Sequence, residues 1–106
     1  MTIISREEAR NDNMITEYTK ELEMLPKGKI IPKTVNGKIY YYLYYRDGKK
    51  VISKYIGKDE KSLAVVREQL TRRIQIEEII KKLKEEKAQI KKLEAMLWYY
   101  IMVVIL

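Results

Sequence analysis

Residues 28–57 have the sequence GKIIPKTVNGKIYYYLYYRDGKKVISKYIG, in which two turn signals separate three runs of strand-forming residues. The pairs Asn36-Gly37 and Asp47-Gly48 tolerate the positive φ angles that two-residue β-hairpin turns require. The runs are rich in isoleucine, valine and tyrosine, which favour extended backbone. The stretch therefore predicts a three-stranded antiparallel sheet. Its predicted strands are residues 29–35, 38–46 and 49–56.

Side chains alternate between the two faces of a strand, so the two-residue turns also predict which residues share a face. One face is mainly aliphatic and is expected to pack on a helix. We call it the core face: Ile30, Pro32, Ile39, Tyr41, Leu43, Tyr45, Ile52 and Ile56, with Lys50 and Lys54 among them. The opposite face carries phenols set among cations. We call it the open face: Lys29, Ile31, Lys33, Tyr40, Tyr42, Tyr44, Arg46, Lys49, Val51, Ser53 and Tyr55.

A helix is predicted on each side of the sheet. In residues 1–25, Ser5 and Glu8 have the spacing of a capping box, and Asn13 is an alternative N-cap. The apolar residues Ile15, Tyr18, Leu22 and Leu25 then recur on one helical stripe. Residues 59–97 contain neither proline nor glycine, and Asp59 is suited to cap their N-terminus.

The chain is thus expected to be a single α+β domain. Its predicted parts are a short N-terminal helix (residues 1–25), a three-stranded antiparallel sheet (28–57), a long C-terminal helix with coiled-coil character (59–97) and an apolar tail (98–106). The first half of the long helix is expected to cover the core face with Leu63, Val66, Leu70 and Ile74.

The second half of the long helix has an apolar stripe that the small sheet cannot reach. The stripe has heptad-like spacing and consists of Ile76, Ile80, Leu83, Ile90 and Leu97. Another helix must cover it, and this is either the first helix folded back or a second copy of the chain. We favour the second copy and predict a homodimer, although Lys87 and Glu94 interrupt the seam.

The tail predicts burial or interfacial contact but no membrane span. Residues 97–106 are uniformly apolar, yet a helix needs ~20 such residues to cross a bilayer. We interpret the tail as a strand or helix end buried in an oligomer. The alternative is an interfacial anchor assisted by Lys91 and Lys92.

The composition excludes most catalytic and metal chemistry. The chain has no cysteine and no histidine, which removes thiolate nucleophiles, imidazole bases and the usual zinc ligands. The Glu77-Glu78 and Glu85-Glu86 pairs stand among lysines, as expected for solvated helix faces. We therefore expect no enzyme activity, no bound metal and no cofactor. The start of the sequence lacks the pattern of a secretory signal, so a cytoplasmic location is expected.

The positive charge is concentrated in the predicted sheet. Residues 26–58 contain nine basic side chains and one acidic side chain, Asp47, for a net charge of +8. Such a segment attracts polyanions, and aromatic rings beside the cations suit nucleic acid. Tyrosine is also a strong strand former, so the row of rings has a purely structural explanation as well. The predicted nucleic-acid-binding residues are Lys29, Lys33, Lys38, Tyr40, Tyr42, Tyr44, Arg46 and Lys49.

Two family resemblances attach to these motifs. The Asn36-Gly37 turn, the aromatic strand closing with Tyr45-Arg46-Asp47-Gly48-Lys49 and the following Lys54-Tyr55-Ile56-Gly57 are similar to the arm-type DNA-binding domains of phage and transposon integrases. That resemblance covers about residues 28–75 and implies a sheet that enters the major groove. Over residues 22–94 the chain resembles more closely a set of small prokaryotic and phage proteins of unassigned function. These share a Leu-Pro-Lys-Gly lead-in, a tyrosine-rich hairpin and a lysine/glutamate helix.

Two function hypotheses follow. The first is a non-catalytic accessory protein that binds DNA or RNA with the open face. The alternative is a protein-interaction module, such as a phage-encoded inhibitor of a host nucleoprotein of the anti-CRISPR type, acting in the host cytoplasm. The integrase catalytic domain has no counterpart here, so the resemblance does not extend to recombination.

Overall fold

The computed structural model describes residues 3–105 and confirms an α+β fold. The elements follow in the order α1 (Ile3–Glu23), β1 (Lys29–Val35), β2 (Lys38–Asp47), β3 (Lys50–Gly57) and α2 (Glu60–Ile105). The three strands form one antiparallel sheet in the order β1-β2-β3. Met1, Thr2 and Leu106, which belong to the predicted end segments, lie outside the described residues.

The first turn has the predicted position, and the second turn lies one residue later than predicted. Asn36 and Gly37 have φ angles of 51° and 77°, as a type I′ turn requires at both central residues. The second turn consists of Gly48 and Lys49. Only Gly48 has a positive φ there, 62°, which fits a type II′ turn with glycine in the first central position.

This later turn moves the pairing of β3 by two residues along β2. Asp47 is opposite Lys50, and Arg46 is opposite Val51 instead of Lys49. Opposite charges at the directly paired positions 47 and 50 favour the observed register. A shift of two residues keeps the predicted faces, so the division into core face and open face is confirmed for β1 with β2 and for residues 42–47 with β3. A β-bulge between Tyr41 and Tyr42 then pairs Tyr41 with Gly57.

The described chain divides into two compact units, residues 23–75 and residues 3–22 with 76–105. We call them the sheet unit and the helical unit. In the sheet unit, Leu43 on the core face and Leu63 in α2 are buried. Val66 and Leu70 are half-buried, as their predicted packing requires. Ile74 is 68 % exposed, so its predicted place on the core face is wrong.

The connection from α1 to β1 is held by two features of the sheet unit. Arg73 in α2 donates a hydrogen bond from Nη1 to the carbonyl oxygen of Leu25, at 3.1 Å. Gly28 follows with φ +118°, and a Cβ at this position would lie 2.1 Å from the carbonyl oxygen of Tyr44. Only glycine allows such close approach of the two backbones. The start of α2 follows prediction, since Leu63 N donates to the carbonyl oxygen of Asp59, the N-cap.

In the helical unit, α1 begins before both of the predicted N-caps. It begins by Ile3, so neither Ser5 nor Asn13 caps it, and the helix continues through Asn11, Asp12 and Asn13. Asn11 is buried and donates a 2.8 Å hydrogen bond to the carbonyl oxygen of Leu83 in α2. Asp12 pairs with Lys87 of α2 at 2.6 Å. These contacts with a second helix offset the low helix propensity of both residues.

Part of the apolar stripe of α2 is buried within the single chain. Ile76, Ile80 and Leu83 are 0 %, 9 % and 7 % exposed within the single chain. They are therefore not surface residues that a second copy could cover, and the prediction that they form a dimer contact needs correction. Ile90 is half-buried and Leu97 is 47 % exposed. Homodimerisation stays a prediction, and of the five residues it now rests on these two.

The polar residues in the seam of the helical unit meet polar partners. Asp12 accepts a hydrogen bond from Lys87, and this bond raises the pKa of Lys87. The side chain of Glu94 lies within hydrogen-bonding reach of Glu8 of α1. This hydrogen bond, loss of hydration and the charge of Glu8 raise the pKa of Glu94, and Lys91 opposes them.

The predicted tail continues α2. Residues 98–105 are helical and exposed within the single chain, and their burial in an oligomer stays a prediction. No helix formed by residues 3–105 is long and apolar enough to cross a membrane.

We predict that Gly28→Ala destabilises the protein much more than Gly37→Ala does. Both glycines have positive φ, but a Cβ at Gly37 meets nothing within 4 Å. Gly37→Ala therefore carries only the conformational penalty of ~1–2 kcal/mol, whereas Gly28→Ala must also separate β2 from the preceding loop. Urea denaturation of the two variants measures the difference, and equal losses would contradict the contact with Tyr44.

We also predict that Glu94→Gln flattens the pH dependence of stability. A carboxyl group whose pKa is higher in the folded state binds more protons when folded, so the free energy of unfolding falls as pH rises. The fall begins near the ordinary value of 4.5 and ends above the raised pKa of Glu94.

Glu94→Gln should therefore be more stable than the wild type at neutral pH, since it keeps a hydrogen-bonding amide without the second charge. Denaturation at several pH values tests this. Glu85→Gln, which removes the same charge from an exposed position of α2, is the matched control. An unchanged slope in Glu94→Gln would refute the raised pKa of Glu94.

Candidate nucleic-acid interface

The register of β2 with both neighbours builds the open face. Lys29 is opposite Tyr44, Lys33 is opposite Tyr40, and Tyr42 is flanked by Ile31 and Tyr55. Lys38, opposite Val35, has the same alternation as Tyr40. Of the eight predicted binding residues, seven therefore share this face. They are Lys29, Lys33, Lys38, Tyr40, Tyr42, Tyr44 and Arg46. Lys49 lies in the second turn, not in β3 as predicted.

Three tyrosines of this face form an aromatic cluster. The ring centroid of Tyr55 lies 5.4 Å from that of Tyr42 and 6.3 Å from that of Tyr40, with interplanar angles of 56° and 51°. Tilted rings at such separations attract each other through their quadrupoles. Tyr55 was placed on the open face from the sequence but was not included among the predicted binding residues. The signal for including it was its position in β3, beside the tyrosines of β2.

Lys33 sits over two rings of the same row. Its Nζ lies 5.0 Å from the ring centroid of Tyr42 and 5.3 Å from that of Tyr44, within the range of a cation–π contact. A hydrogen bond to Tyr44 raises the pKa of Lys33, so this ammonium keeps its charge. The pKa of Tyr44 is lowered chiefly by a hydrogen bond from Lys33, and a hydrogen bond with Ser53 lowers it further. The Tyr44 hydroxyl is therefore held in place by two strands.

The remaining cations surround this cluster and are exposed. Lys29, Lys38, Arg46 and Lys49 form no ion pair among the residues that the structure describes. Asp47 is the only acidic residue in residues 26–58, and its alternation places it with the core face, opposite Lys50. The open face thus presents cations and phenols without a carboxylate to oppose them.

The described residues form no acidic metal site beside this face. Between residues 3 and 105, no group of three or more acidic side chains is placed to hold a metal ion. A groove with a volume of about 380 Å³ lies between the sheet and α2, and residues of both line it, among them Leu43, Ile56 and Val66. The side chains of the open face themselves offer charge, hydrogen bonding and ring contact.

Comparison with known proteins gives one family. Residues 4–65 match the family model described as "Domain of unknown function (DUF6788)". The match covers most of α1, the whole sheet and the first turns of α2, which is more than half of the chain. No curated protein and no solved structure shows significant similarity to the chain. The resemblance to integrase domains therefore stays a prediction, and the chain belongs to the DUF6788 family.

Proposed function

We propose that this protein is a non-catalytic nucleic-acid-binding protein that contacts its ligand with the open face of the sheet. The observation that carries the proposal is the placement of Lys33 over Tyr42 and Tyr44, within a face that carries cations and no carboxylate. A purely structural row of tyrosines would stabilise the sheet without any need for that excess of charge.

The charge of the face supports a polyanionic ligand. Cations on β1, on β2 and in the second turn can contact several phosphates at once and release the counterions condensed on them. A carboxylate partner on a protein would be attracted by the same field, but it would offer only a few charges. The open-face cations Lys29, Lys33 and Lys38 are spread along the sheet. This spacing suits a ligand with repeated negative charges better than a ligand with one.

The arrangement of the tyrosine rings on the open face determines how they could contact bases. Lys33 and the tilted Tyr55 already occupy part of the surfaces of Tyr42 and Tyr44, so the row differs from a set of parallel open platforms. An approaching phosphate can draw the Lys33 ammonium away from the rings, and this movement uncovers aromatic surface for a base or a sugar. Such contacts favour binding with little sequence preference.

The alternative is a protein partner, as for a phage-encoded inhibitor of a host nucleoprotein. The open face would then meet an acidic protein surface. We place the protein in the cytoplasm, where either ligand is available. Binding measurements with purified nucleic acid separate the two functions.

We predict that Lys33→Ala flattens the salt dependence of DNA binding. Each phosphate neutralised on duplex DNA contributes about −0.9 to the slope of log affinity against log salt, so losing one contact should reduce the slope by about one unit. Lys54→Ala is the matched control, because Lys54 is an exposed lysine of the same sheet whose alternation places it on the core face. Titrations at several salt concentrations measure both slopes.

If Lys54→Ala changes the slope as much as Lys33→Ala does, the contact face is wrong. If the folded protein binds neither duplex nor single-stranded probes at low salt, the proposed function fails, and the protein-partner alternative becomes the better explanation.

We predict that Tyr42→Leu weakens binding to single-stranded DNA by ~1–3 kcal/mol, with nearly unchanged salt dependence, because the ring supplies contact area but no charge. Leucine keeps an apolar neighbour for Tyr55. The matched control is Tyr41→Leu, whose side chain belongs to the core face. Tyr41→Leu should lower the melting temperature and leave the affinity of the folded protein unchanged; the reverse pattern would contradict the assignment of faces.

A further inference from the structure

The end of α2 carries an apolar surface that the fold leaves uncovered. Residues 93–105, which we call the apolar segment, have the sequence LEAMLWYYIMVVI, with Glu94 as the only charged residue. The segment is helical throughout. From Leu97 to Ile105 each side chain is between 46 % and 74 % exposed.

The exposed side chains point in every direction around the helix axis. Consecutive residues of an α-helix are separated by 100°, so nine exposed apolar residues in succession leave no polar side. A second helix, including one from another copy of the chain, covers a stripe of positions three and four residues apart. A helix that is apolar on all sides instead requires surroundings that are apolar on all sides. Lipid hydrocarbon provides them.

The order of residue types along α2 matches the layers of a bilayer surface. Lysines come first, and the aromatic group Trp98, Tyr99 and Tyr100 follows. The aliphatic run Ile101–Ile105 comes last. Trp and Tyr concentrate at the level of the lipid headgroups, and lysines just outside that level are attracted to anionic lipids. The lysines of residues 76–97, which precede the aromatic group, are Lys81, Lys82, Lys84, Lys87, Lys91 and Lys92.

The dimensions agree with partial insertion. At 1.5 Å per residue, the aliphatic run extends ~7 Å along the helix axis, comparable with the ~5–10 Å to which interfacial helices enter the headgroup and acyl boundary. A bilayer span needs ~20 apolar residues, more than the segment contains.

We propose that the apolar segment inserts into the surface of an anionic lipid bilayer, with Trp98, Tyr99 and Tyr100 at the headgroups and Lys91 and Lys92 on lipid phosphates or carboxylates. This site is separate from the open face and does not depend on the proposed function. It would make the protein a peripheral membrane protein.

Trp98 is the only tryptophan of the chain, so its fluorescence reports on this segment without a label. The full-length protein is mixed with vesicles of phosphatidylcholine alone, or of phosphatidylcholine with phosphatidylserine. On the anionic vesicles, the emission of Trp98 should move to shorter wavelength and lose its quenching by acrylamide. Binding should weaken by roughly fivefold for each of Lys91→Gln and Lys92→Gln, because each lysine contributes to attraction by the anionic surface.

A matched pair of variants locates the contact. Val104→Asn and Val65→Asn make the same change at two exposed positions of α2, with exposures of 60 % and 54 %, inside and outside the apolar segment. Val104→Asn should weaken vesicle binding by roughly tenfold, since it places a polar amide where a buried aliphatic group is expected. Val65→Asn should bind as the wild type does. Circular dichroism verifies that both remain folded.

Three results would overturn the proposal. Equal vesicle binding by both asparagine variants would place the lipid contact elsewhere. A change of Trp98 emission that follows protein concentration instead of lipid, with a dimer mass by light scattering, would assign the apolar segment to a second copy of the chain. Trp98 emission unchanged under both conditions would leave the segment without a lipid partner.

Discussion

The pairing of β2 along both of its edges is the constraint on which the sheet and its candidate site depend. Along β2, the core-face residues Tyr41, Leu43 and Tyr45 alternate with open-face tyrosines and Arg46. Pairing with both neighbouring strands keeps the first set toward α2 and the second set toward solvent. A slip by one residue would bring Leu43 to the open face and Tyr42 and Tyr44 to the core, exchanging apolar burial for buried hydroxyls. The backbone of Gly28 lies close to the carbonyl oxygen of Tyr44, and this contact also restricts the position of β2. The positions of the cations follow from this register.

Much of the sheet could be predicted from the sequence because turn chemistry and period-two alternation are local. The difference at the second turn arose because Asp47-Gly48 and Gly48-Lys49 both satisfy the rules for two-residue turns, through different glycine positions. Pairing between Asp47 and Lys50 distinguishes them, and that pairing is visible only once both registers are compared. The faces were nevertheless correct, since the two registers differ by an even number of residues. The cation–π placement of Lys33 depends on rotamers, which local patterns do not determine.

The helical unit was less predictable because its polar residues act over long distances in sequence. Asn11 and Asp12 have low helix propensity. The contacts that stabilise them in α1 come from Leu83 and Lys87, which are more than seventy residues away in sequence. Burying Asn11 is costly: its Oδ1 atom accepts no hydrogen bond from the described residues. A buried asparagine in a helical seam commonly serves specificity, because only one register allows it a partner. The Glu8–Glu94 and Asp12–Lys87 contacts run in opposite directions along the two helices, as an antiparallel alignment of α1 with α2 requires, and the Asn11 bond disfavours slipped alignments.

The same seam explains how one long helix can carry two different kinds of surface. Where α2 packs against α1, its apolar residues Ile80 and Leu83 are buried and Lys87 pairs with Asp12. The other lysines of this part of α2 are exposed to solvent. Further along, the exposed fraction of the apolar side chains rises, from 7 % at Leu83 to 47 % at Leu97 and 74 % at Ile105. Evenly exposed apolar side chains are costly in water at roughly 25 cal/mol for each Å² left unburied. This exposure is the basis for the lipid contact proposed for the apolar segment, which is separate from the polyanion contact proposed for the sheet.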